Sequence, residues 1–181
     1  MPPRRARRAR TRSTVRSPVR RRAPSVAPPS AAPAPVAAVT APTAPLVEAQ
    51  GLPIVRELAR IARSAEPAAV RLEGALEILF GAYGTAESDF PDLMMGGWVQ
   101  ARADKQFRLT MAWVREQLRL SLEEIVVAGQ HEGRFRSGID PGSIAALMVA
   151  AAEGCLLQSP THGGTVPPGD VVKALLGLLR G

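Results

Sequence analysis

The first 46 residues of the chain contain no aromatic residue, no glycine and no acid, and they are built almost entirely from Arg, Ala, Pro, Val, Ser and Thr. Such a segment has too little apolar surface to offset the conformational entropy of ordering it, and its prolines interrupt helix and sheet hydrogen bonding alike. It reads as a disordered arm over residues 1–46. From Gly51 the composition turns abruptly Leu-rich and charge-mixed, which puts a boundary between Pro45 and Leu52 and leaves residues 47–181 as one folding unit. A chain of 181 residues with such an arm has room for one domain with a real core and hardly for two.

Charge divides in the same place. The formal net charge is +7, from 23 basic and 16 acidic residues. Ten of the arginines lie between Arg4 and Arg22, so the remainder carries 13 bases against 16 acids and is mildly acidic. Within the arm, Arg4, Arg5, Arg7, Arg8, Arg20, Arg21 and Arg22 are the candidates for neutralising DNA or RNA phosphates, each contact adding about 0.9 to the salt dependence of duplex binding. A solvated tail is the alternative. No aromatic is interleaved with the arginines, so stacking of single-stranded bases is unsupported.

Cys155 is the one cysteine, which excludes an internal disulfide and suits a reducing cytoplasm. The Arg-rich start lacks the apolar core of a secretion signal, and no apolar run approaches the ~20 residues of a membrane span. A soluble cytoplasmic protein with no membrane contact is the expectation.

Beyond the arm, apolar spacing predicts an all-α chain. A short helix over Leu52–Arg63 carries Ile54, Leu58 and Ile61 on one side. A second over Pro67–Tyr83 lines up Leu72, Leu76, Leu79 and Tyr83. A third over Pro91–Ala103 groups Leu93, Met94, Gly97, Trp98 and Ala101. The fourth and longest, Asp104–Gln130, has one stripe of Phe107, Met111, Val114, Leu118, Leu122 and Ile125. A second stripe of Leu109, Trp113, Leu120 and Val127 implies neighbours on both sides. Asp140-Pro141 is the clearest helix start in the chain, an N-cap acceptor followed by proline at the first helical position. The helix it opens, to Gln158, has Glu153 as its single charge, so most of its circumference must be covered. A loop, Ser159–Gly169, leads to a final helix, Asp170–Arg180. No segment shows strand alternation between hairpin turns.

No catalytic constellation emerges. His131 and His162 both fall in expected turns, and His131 beside Glu132 has no further ligand at metal spacing. Cys155 sits in an apolar helix with no neighbouring base or cation and reads as a small buried hydrophobe. Phosphate-cradling and dinucleotide motifs are missing. Neither an enzyme nor a metal or cofactor site is expected.

Gly129, Gln130, Glu132, Gly133, Phe135 and Arg136 close the long helix, Asp140-Pro141 opens the next, and Glu153-Gly154 falls within it. This succession resembles the regulatory domain of the TetR family of transcription regulators, and the segments Glu66–Tyr83 and Phe90–Arg102 fit that family's preceding helices in order and length. The resemblance implies a helical bundle of the TetR-like regulatory type that homodimerises, binds a small apolar or aromatic effector and acts with DNA, as a repressor. It places the effector among the middle helices, where Phe80, Met94, Trp98, Phe107 and Met111 supply large, adaptable apolar side chains. Ordinary core packing is the alternative for each of them.

The resemblance also pairs the last two helices with their twofold mates, which points to Ala145, Met148, Val149, Ala152, Leu175 and Leu178 as the dimer contacts. Ala145, Val149 and Ala152 share one helix face whose small side chains admit a close neighbour; packing within the chain is the alternative use of that face. The family's DNA-reading helix-turn-helix is missing, since Met1–Gln50 holds no Tyr, Phe or Lys. One expectation is that the arm is GC-rich coding sequence read from a wrong start or out of frame. A second functional class stays open: a nucleic-acid-binding protein without sequence preference, using the arm, with the helical domain as its dimeriser.

Overall fold

A computed structural model describes residues 43–84, 90–162 and 167–180. The arm arginines from Arg4 to Arg22 and nearly all of the arm lie outside the described residues. Among the described residues every regular element is helical: α1 (Ala44–Ala62), α2 (Ala68–Gly84), α3 (Phe90–Ala101), α4 (Lys105–His131), α5 (Pro141–His162) and α6 (Pro168–Leu179). The all-α bundle expected from the apolar spacing is what the chain forms.

α4 is the spine. Its first stripe, Phe107 to Ile125, is wholly buried and receives α1, α2, α3 and α5, while α6 packs chiefly on α2. Asp104 caps α4 by accepting from the Phe107 backbone N–H at 3.0 Å, and the Asp140 carboxylate accepts from the Ser143 N–H at 2.7 Å at the start of α5. Both are side-chain solutions to the unpaired N–H groups of a first turn. The stripe Leu72, Leu76, Leu79 and Tyr83 of α2 is buried as its spacing predicts.

Four expectations are corrected. α1 begins eight residues before Leu52, within the presumed arm, because Pro45 occupies its first turn and Val47 and Gly51 are buried. Gly51 lies against Val114, where a Cβ would approach the Val114 methyls to 3.1 Å. Pro53 is an exposed interior residue of α1. α5 runs past Gln158 to His162, and His131 and His162 each end a helix. A proline in a last turn, here Pro160, removes one N–H without cutting the turns behind it.

Of the second stripe of α4, Leu109, Trp113 and Leu120 are exposed and only Val127 is half-buried among the described residues. Finally, Pro141–Gln158 is long and apolar enough by composition to cross a membrane. Ile144, Ala145, Met148, Val149, Ala152 and Leu156 of that stretch are buried in the bundle core, while its other face is exposed.

Candidate functional site

The residues that carry the family resemblance form a structural junction. Gly133 adopts φ +67°, a left-handed conformation that glycine reaches without steric cost, and it turns the chain away from α4. Gln130 then holds the turn by donating to the Arg136 and Ile139 carbonyls, both at 2.8 Å. Phe135 folds back onto Gly129, leaving no room there for a Cβ. The Glu132 carboxylate accepts from the Ala68 N–H at 3.1 Å and so caps α2 from 64 residues away. It also meets Arg71, whose guanidinium donates to the Ala62 carbonyl at the end of α1 at 2.6 Å. Arg136 N–H donates to the Leu179 carbonyl at 3.0 Å. One junction therefore joins the ends of α1, α4 and α6 to the start of α2.

Of the expected effector residues, Met94, Phe107, Met111 and Phe80 are buried and Trp98 is half-buried. The structure brings Phe107 and Met111 together beneath α3: a Cβ on Gly97 would lie 2.9 Å from the Phe107 ring and 3.2 Å from the Met111 sulfur. Phe80 points elsewhere. It floors a half-open cleft of ≈ 380 Å³ between α2 and α6, whose walls include Glu73, Glu77, Gly81, Val172 and Leu176. A smaller cleft of ≈ 210 Å³ separates α4 from α5 near Ala112, Arg119 and Ala146.

The expected dimer face is turned inward. Ala145, Met148, Val149 and Ala152 are buried against this chain's own core, as is Leu175. Leu178 alone of that set is exposed, at 52%. Close approach by a small-residue face does occur, but the neighbours are α2 and α4 of the same chain. The outward face of α5 is the opposite one, with Ser143, Ala146, Leu147, Ala150 and Leu157 exposed. It has no charge, and on α6 Ala174, Gly177 and Leu178 are exposed beside the charged pair Asp170 and Lys173.

Glu153, the one charge of α5, is buried and held by Arg115 of α4 through two bonds of 2.6 and 2.8 Å. Burial pushes its carboxyl above the ordinary value, and the Arg115 guanidinium opposes that shift. Tyr83 is near enough to feel both charges. Burial first, and the Glu153 carboxylate second, raise its phenol, and its buried Oη has no hydrogen-bond partner among the described residues. Its ring meets Phe90 edge-on at 5.2 Å. A lone acid on an otherwise apolar helix signals that a cation must reach it; which of the arginines does so was not legible from spacing.

No family model matches the chain, and no curated protein matches it in sequence. Solved structures do match in shape. A bacterial regulatory protein in the tetR family from Rhodococcus RHA1 superposes with TM-score 0.56 at 16% identity, over 75% of this chain and 73% of that one. A transcriptional regulator from Rhodococcus sp. Rha1 gives 0.55 at 18% identity, over 75% and 82%. The MbdR regulator from Azoarcus sp. CIB gives 0.52 at 18% identity, over 74% and 75%. The helical bundle organised around α4 thus has the fold of these bacterial regulators, the tetR-family protein among them.

Proposed function

We propose that the helical domain is the regulatory half of a TetR-like transcription regulator, a cytoplasmic repressor and not an enzyme, which homodimerises and binds a small apolar effector. The uncharged outer face of α5, with Leu178 exposed on α6, carries this reading. Leu147, Leu157 and Leu178 are each more than 40% exposed, with small residues between them. Soluble proteins seldom leave contiguous apolar surface of this kind in water, and an isologous pairing of α5 and α6 with their copies would bury it. The effector's place in this reading is the aromatic and methionine cluster of α3 and α4, Met94, Trp98, Phe107 and Met111, without Phe80, which lines the α2–α6 cleft. An effector bound there shifts affinity for DNA only by favouring one arrangement of the dimer over another.

Sedimentation equilibrium at micromolar concentration tests the pairing. The wild type should be a dimer, and the double variant Leu147→Glu, Leu178→Glu a folded monomer with an unchanged circular dichroism spectrum. A monomeric wild type overturns the reading.

The ten arginines of the first 22 residues favour a second reading, nucleic-acid binding without sequence preference through the arm. Removal of residues 1–42, which spares α1, should then abolish salt-sensitive binding to duplex DNA; undiminished binding by the shortened chain rejects it.

A further inference from the structure

We infer that the cleft between α2 and α6 is a binding site for a small amphiphilic cation, a molecule with an apolar body and one positively charged head. This site is separate from the aromatic and methionine cluster and does not require the chain to be a regulator.

The floor of the cleft is apolar and buried: Phe80 from α2, with Val172 and Leu176 from α6. Gly81, on the lining, faces open space, and a Cβ there would touch nothing within 4 Å. The volume of ≈ 380 Å³ falls at the small end of the range for small-molecule sites, roughly 300–1,000 Å³. That suits one ring system or a chain of about ten carbons.

Charge selects among small molecules. Glu73 and Glu77 stand one helical turn apart along the α2 wall, so both carboxylates face the same opening. Neither has an ion-pair partner among the described residues. The one cation on the lining, Lys173, is paired with Asp170 at 3.4 Å. The mouth therefore carries two uncompensated negative charges over an apolar floor, which favours a cationic head and repels an anionic one.

Decyltrimethylammonium and decyl sulfate, each below its micellar concentration, test this by isothermal titration calorimetry on the full chain. The cation should bind with one site per chain and at least about tenfold more tightly than the anion. Glu73→Gln with Glu77→Gln should weaken the cation about tenfold without weakening the anion. Gly81→Leu, which places a side chain in the open space, should abolish cation binding while the melting temperature holds or rises. The monomeric Leu147→Glu, Leu178→Glu variant should bind as the wild type does, since the cleft lies within one chain; failure of the dimer reading therefore leaves this result untouched. No cation binding, equal binding of cation and anion, or an affinity that neither the carboxamide pair nor Gly81→Leu changes overturns the assignment.

Discussion

Phe135 lays its ring directly on the backbone of Gly129, so the turn after α4 is sealed by an aromatic plug that only glycine admits. The same two residues bracket the left-handed Gly133 and the capping Glu132. The stability of four helix ends consequently depends on one short stretch of chain.

Two glycine substitutions should move stability in opposite directions. Alanine is the better helix former by about 1 kcal/mol, yet Gly129→Ala would displace Phe135 from its buried seat, and overpacking of this kind costs roughly 1–3 kcal/mol. Gly81, also within a helix, faces open space. Urea unfolding should show Gly129→Ala destabilised by about 2 kcal/mol and Gly81→Ala stabilised by roughly 0.5–1 kcal/mol.

Removing the remote cap of α2 should be costly for an exposed-looking residue. Glu132→Ala leaves the Ala68 N–H without its acceptor and Arg71 with only the Ala62 carbonyl. A loss of about 1–2 kcal/mol is expected. Glu132→Gln keeps an acceptor and should fall between wild type and alanine in the same unfolding assay.

The Arg115–Glu153 pair predicts a pH-dependent defect. Breaking a fully buried pair costs about 3–5 kcal/mol, but Arg115 is 46% exposed, so Arg115→Ala should lose roughly 1–3 kcal/mol at pH 7. Glu153 is already raised by burial and would rise further without its cation. A carboxyl raised in the folded state favours folding at low pH and loses that contribution as pH climbs through the folded value. The gap in melting temperature between wild type and Arg115→Ala should therefore narrow from pH 7.5 to pH 5. Adding Glu153→Gln to the variant should narrow it at pH 7.5.

Cys155 should be a sluggish nucleophile. It is half-buried in α5 and its thiol is raised by that burial, which lowers the thiolate fraction that reacts. Ellman's reagent at pH 7.5 should label the native chain many times more slowly than the chain in 6 M guanidinium, and equal rates would contradict the placement.

Much of the bundle was legible residue by residue. The spacing Phe107 to Ile125 marked the buried side of α4, Asp140-Pro141 marked the start of α5, and the stripe from Leu72 to Tyr83 marked the inner face of α2, because a polar opposite face leaves one way for each helix to turn. The start of α1 was hidden by the arm's composition, which runs up to Gly51, while Val47 and Gly51, both buried, anchor the turns before Leu52.

The orientation of α5 was not legible, and neither was the fate of Leu109, Trp113 and Leu120. α5 is uncharged on both sides apart from Glu153, so periodicity offers no direction. Neighbouring helices chose the face of Ala145, Met148, Val149 and Ala152 for the core, through close packing and through the pairing of Glu153 with Arg115. Local chemistry along the chain decides where helices start, stop and turn an amphipathic side inward. Where a helix is apolar all round, only the shapes and charges of segments distant in sequence decide what is buried, what is left for a partner and where space remains for a ligand.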